Sequence, residues 1–82
     1  MNKQEAEKTI VEYTRPVFGF ALKRCKSLQD AEDLSQKIAR KAFESLCARD
    51  DIEDTGKFIW TIAHHALSNY YRDHPHQWIG AP

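Results

Sequence analysis

Apolar residues recur along the chain at spacings of three and four in three separate stretches, each closed by a short polar break. The first runs from about Gln4 to Lys26, with Ile10, Tyr13, Val17, Phe20, Ala21 and Cys25 at helical spacing. Pro16 falls inside it. Proline has no amide N–H and biases Arg15 before it away from helix, so the pattern predicts a kink or a restart there. The stretch ends on the basic KRCK, which suits the negative end of a helix dipole.

In the second stretch, ending near Arg49, Ala31, Leu34, Ile38, Ala42, Ser45 and Leu46 form the apolar stripe. Asp30 is the predicted N-cap, with Asp33 in the first turn. At about 100° per residue, Asp33, Gln36, Lys37, Arg40 and Glu44 fall on the opposite face, with Phe43 and Cys47 at the border.

DDIEDTG, Asp50 to Gly56, is the main loop and holds four of the twelve carboxylates. Asp54 or Thr55 is predicted to cap a third helix from about Gly56 or Lys57 to Arg72. Its stripe is Phe58, Ile59, Ile62, Ala63, Ala66 and Tyr70. Thr61, His64, His65, Ser68 and Arg72 cluster on the far side, flanked by Trp60 and Tyr71. Pro75 stops the helix, and HPHQWIGAP reads as a linker or the start of another segment. The one β-rich run, IWTI, lies inside a helical pattern. The predicted fold is all-α, a compact bundle of three helices, four if the first splits at Pro16. The domain spans residues 1–73, with a tail over 74–82.

Composition adds bounds. The 82 residues make one domain with a modest core. The chain is 41% hydrophobic and 29% charged, the balance of an ordinary globular protein. Lys plus Arg and Asp plus Glu number twelve each, and the resulting net charge of zero argues against bulk electrostatic binding of nucleic acid while leaving room for a local site. MNKQEAEKTI is too polar for a signal peptide, and no run reaches the roughly 18 apolar residues of a membrane span. The expected setting is the cytoplasm, with no membrane partner. Cys25 and Cys47 form no CxxC pair and are expected to pack as small hydrophobes.

Enzymatic chemistry needs a nucleophile with its base, paired carboxylates or a metal site, and none of these patterns occurs. His64 and His65 are adjacent and diverge by about 100°, unlike an i, i+4 chelating pair. His74 and His76 form an HxH in the tail, read as ordinary polar residues. The chain is expected to be a non-enzyme without cofactor or metal. The polar face of the second helix fits a solvated surface with Gln36–Arg40 and Arg40–Glu44 pairs, or a docking surface beside Phe43. On the third helix, Trp60 and Tyr71 suit the rim of a core. They equally suit stacking on unpaired bases, worth about 1–3 kcal/mol each, with His, Ser, Thr and Arg meeting phosphates and base edges.

The order EYTRPVFGFALKR, DAEDLSQKIARKAFESL, acidic loop, FIWTIAHHALSNYYRD resembles region 2 of the sigma-70 family, and within it the extracytoplasmic-function group. AEDLSQ matches that group's A-E-D-L-x-Q, and Phe58, the neighbourhood of Trp60, Ile62 and Ala63 approach its F-x-W-x-x-x-I-A. The resemblance covers about Glu12 to Asp73. It implies a transcription initiation domain that binds the β′ clamp helices of core RNA polymerase through Asp33, Gln36, Lys37, Arg40 and Glu44 of the second helix. It also implies that the third helix and its preceding loop recognise and open the promoter −10 element. Non-template bases would be flipped out and held by Lys57, Trp60, Thr61, His64, His65, Ser68 and Arg72. An anti-sigma protein is the implied regulator. Lys37 reverses the charge of the family's Gln-Glu, His65 replaces the usual Asn, Asn69 the usual Asp, and Arg72 keeps the family's Arg.

The 82 residues hold no helix-turn-helix for the −35 element. They are expected either to end in the linker before it or to be region 2 alone. Two rivals follow: a protein-interaction module of the same fold that no longer opens DNA, and a plain helix-turn-helix duplex binder. The lack of a basic recognition helix counts against the last.

Overall fold

The computed structural model describes residues 1–73 as three helices: α1 (Lys3–Arg24), α2 (Leu28–Ala48) and α3 (Thr55–Asp73). HPHQWIGAP, with its expected linker character and His74 and His76, lies outside the described residues.

Each helix begins at a side-chain cap that satisfies an amide left free by the first turn. The Asn2 side chain accepts from the Glu5 N–H at 2.8 Å and opens α1. Ser27 opens α2, its hydroxyl oxygen accepting from the Asp30 N–H at 3.1 Å. The expected cap Asp30 therefore sits one turn inside the helix, which starts three residues earlier than the pattern suggested. Ser27 wins because its hydroxyl closes the turn and releases the Asp30 carboxylate for α3. At α3 the carboxylate of Asp54, not the Thr55 hydroxyl, accepts from the Lys57 N–H at 3.0 Å.

Pro16 does not divide the first helix, which runs unbroken from Lys3 to Arg24. Pro16 and Glu12 are both exposed, so the Glu12 carbonyl deprived of its amide partner is open to water. Val17 and Ala21, just beyond, are buried and hold the second half of α1 on the core.

α2 is the central helix and packs against both α1 and α3. Ala31, Leu34, Ile38, Ala42 and Leu46 form its buried stripe, as the periodicity requires. From α1 come Val17 and Ala21; from α3 come Ile59, Ile62, Ala63, Leu67 and Tyr70. Phe20, Phe58 and Ala66 pack at the edge of the cluster, half-buried. Cys25 is half-buried there too, and burial, then the Asp30 charge, pushes its thiol above the usual range. Cys47 is exposed, contrary to expectation, because it lies about 100° around α2 from the fully buried Leu46, at the border of the polar face.

Side-chain contacts fix the direction of α1 relative to α3. Tyr13 reaches Gly56, Phe20 meets Trp60 and His64, and the Lys26 amide meets Tyr70. Residue numbers rise together, so α1 and α3 run parallel, and α2 returns between them. Glycine at 56 permits the first contact: a Cβ there would stand 2.5 Å from the Tyr13 hydroxyl.

Candidate functional site

The polar positions of α2 emerge as the periodicity places them. Asp33, Gln36, Lys37, Arg40 and Glu44 are all exposed. The Gln36–Arg40 and Arg40–Glu44 pairs of a merely solvated face do not form among the described residues, whose ion pairs are Met1–Asp50, Arg49–Asp51 and Arg72–Asp73. The face thus presents charges not already matched within its own helix.

On α3, Lys57, Thr61, His64, His65, Ser68 and Arg72 are exposed and share one broad face. Two are partly engaged locally. The Thr61 hydroxyl donates to the Lys57 carbonyl at 2.9 Å. Arg72 donates to the Asn69 side-chain oxygen at 3.0 Å and lies 4.0 Å from the Asp73 carboxylate. Trp60 takes the rim placement, one of the two its sequence position allowed: it is half-buried, its ring meeting Phe20 edge-on at 5.5 Å between centroids. The edge of α3 turned toward α1 carries it inward, so it offers only part of its surface to a ligand.

Two flanks of the α3 face have different neighbours. His64 stands edge-on to Phe20 of α1, at 5.2 Å between centroids. His65, Ser68 and Arg72 turn instead toward α2. There they line an open groove of about 900 Å³, whose α2 wall holds Asp33, Lys37 and Lys41. Residues expected to serve two different partners therefore border one depression. Lys41 and Asn69 line it as well and were missed. Each lies four residues beyond a residue already singled out, Lys37 and His65, so helical spacing held the signal.

One end of the groove is fixed by Tyr70. Its hydroxyl accepts from the Lys26 N–H at 3.1 Å and donates to the Asp30 carboxylate at 2.7 Å. Burial, joined by the neighbouring Asp30 charge, pushes its phenol up to about 12. The link ties the α1–α2 turn to the last turns of α3.

The acidic loop is less free than its composition implied. The Asp50 carboxylate pairs with the Met1 ammonium at 2.8 Å. Arg49 forks onto Asp51 at 3.0 and 3.1 Å, which holds that carboxyl below its usual range. Asp54 is spent on the α3 cap. Glu53 alone among the four has no such partner among the described residues.

No group of three or more His, Cys, Asp or Glu side chains among the described residues is placed to hold a metal ion. No described helix is long and apolar enough to cross a membrane.

The family model for sigma-70 region 2 matches residues 9–77. No curated protein and no solved structure matches the chain. The matched span takes in most of α1, all of α2, the loop and all of α3. The general work of this family is RNA polymerase binding and promoter recognition. By fold, by the order of its motifs and by this match, the chain belongs to the sigma-70 region 2 family.

Proposed function

We propose that the domain is the core-binding and promoter-opening part of a sigma factor of the extracytoplasmic-function group. It is not an enzyme and works in the cytoplasm. Asp33, Gln36, Lys37, Arg40 and Glu44 dock on the β′ clamp helices, and the α3 face takes the non-template strand of the −10 element. An anti-sigma protein covers the same surfaces when the factor is held inactive. The observation that carries the reading is the shared groove: Asp33 and Lys37 on one wall, His65, Ser68 and Arg72 on the other. A polymerase bound to α2 therefore has the captured strand beside it.

The polymerase half is tested by pull-down of core enzyme. Asp33→Ala/Gln36→Ala should retain about a tenth of wild-type binding, a loss near 1.4 kcal/mol, while the melting temperature stays put, since both side chains face solvent. Equal capture by both proteins would remove this role.

The DNA half is tested by fluorescence anisotropy with a labelled non-template −10 oligonucleotide and its duplex, with and without core polymerase. The single strand should bind in preference to the duplex. His64→Ala/His65→Ala/Arg72→Ala should lower the affinity about tenfold or more.

The half-buried Trp60 favours a second reading, an interaction module of the same fold that no longer opens DNA. Retained polymerase capture with no strand binding, even in the presence of core, is the result that selects it.

A further inference from the structure

We infer that the C-terminal half of α1 is a second wall of the nucleic-acid surface, with Arg24 as its contact to the phosphodiester backbone of the bound strand. The inference rests on the proposed role of α3 and extends it to a helix with no assigned contact.

Charge is segregated in this chain even though it sums to zero. Residues 13–26 and 55–72 contain no carboxylate at all. They hold Arg15, Lys23, Arg24, Lys26, Lys57 and Arg72, half of the twelve Lys and Arg, together with His64 and His65. The fold lays these two segments side by side, parallel and in register through Phe20, Trp60 and His64. Of the carboxylates that border the two segments, Asp73 lies beside Arg72, Asp30 and Asp54 are turned to the Tyr70 hydroxyl and the α3 cap, and Glu12 stands at the end of the α1 segment away from Arg24. A phosphate therefore meets a local positive field along the α1–α3 seam that the net charge conceals.

Arg24 is the cation this seam positions. Its Cζ lies 4.3 Å from the centroid of the Phe20 ring, and one guanidinium nitrogen donates to the Phe20 carbonyl at 3.2 Å. The same ring holds Trp60 and His64 edge-on. Phe20 is thus the platform on which a cation from α1 and two rings from α3 are assembled. One of the guanidinium's five donors is used in this arrangement, and the rest are available to an anion. Because the side chain is already stacked and half-buried, little rotamer freedom remains to be lost on binding.

The test uses the 82-residue chain and a labelled single-stranded DNA of mixed sequence, titrated by anisotropy across about 20–200 mM salt, alone and with core polymerase. One lost phosphate contact on a single strand should make the salt slope shallower by about 0.7, which is about fivefold in affinity at 0.1 M salt. Arg24→Gln should show that change; Lys8→Gln, on the other half of α1, should not. Arg24→Lys keeps the charge and should hold the wild-type slope. Melting curves of each variant confirm that the folded protein is being compared. An Arg24→Gln slope equal to wild type overturns the inference while leaving the α3 reading intact. A change of the same size in Lys8→Gln overturns it too, because any basic residue would then serve. Absence of binding by wild type, with and without core polymerase, defeats the α3 reading and this inference with it.

Discussion

Replacing Ile38 with alanine lowers the stability of the domain by about 2–5 kcal/mol. Ile38 is 1% exposed, in the middle of the helix that packs most extensively against the other two. Its side chain is among the largest that are fully enclosed, with Leu46 and Ile59. Truncation removes three buried carbons and leaves a cavity that three helices border, so no single element can move in to fill it. At about 0.05–0.15 kcal/mol per residue, a domain of this size has roughly 4–12 kcal/mol in total. The loss is thus a large share of the whole. Urea denaturation followed by circular dichroism should show the midpoint falling with an unchanged slope. Ile38→Val should cost only about 0.5–1.5 kcal/mol. A shift below about 1 kcal/mol for the alanine variant would place the centre of the core elsewhere.

The second large effect belongs to Tyr70, and it depends on pH. Tyr70→Phe removes a hydroxyl that accepts from the Lys26 amide and donates to the Asp30 carboxylate. At neutral pH the change should cost about 1–2 kcal/mol, since a hydrogen bond to a charged group is lost and both partners are partly buried. The phenol is raised from 10.0 to about 12 in the folded protein, chiefly because burial disfavours the phenolate. A group raised on folding contributes its stability in full below its unfolded value and loses it as pH climbs through the folded one. Wild type should therefore forfeit about 2–3 kcal/mol between pH 10 and 12, at about 1.4 kcal/mol per unit, and Tyr70→Phe should lack that component. The measurement is the difference between the two denaturation curves across this range, which cancels the titration of groups common to both. Parallel curves would mean that Tyr70 titrates alike in both states.

The helices and their buried stripes were legible because period and burial coincide: Ala31, Leu34, Ile38, Ala42 and Leu46 need nothing beyond the 3.6-residue repeat. The exposed face of α2 follows from the same geometry. Leu67 shows the limit of a quick pattern, lying four residues past Ala63 yet missing from the expected stripe. Pro16 and Asp30 show a different limit. Local propensity spoke for a break and a cap, while the packing of Val17 and Ala21 and the competing hydroxyl of Ser27 decided otherwise. The candidate site was legible one helix at a time. What joins the helices was not: Phe20 under Arg24, Trp60 and His64, or Lys37 across from His65, depends on which helices run parallel. No spacing within one helix encodes that.

Two tyrosines, Tyr13 of α1 and Tyr70 of α3 itself, link α3 to the rest of the domain, with a mechanical consequence. Interdigitated side chains of an apolar stripe oppose rolling of a helix about its own axis, and directional contacts near its ends add to that restraint. α3 has a pin near each end: at Gly56 the Tyr13 side chain of α1 packs closely against it, and at Tyr70 two hydrogen bonds tie it to Lys26 in the turn between α1 and α2 and to Asp30 in the first turn of α2. The pins lie 14 residues apart, about 21 Å along the axis at 1.5 Å per residue. Torque from anything gripping the outer face between them is passed to the other two helices as a rigid body, and the azimuth of that face stays set under load.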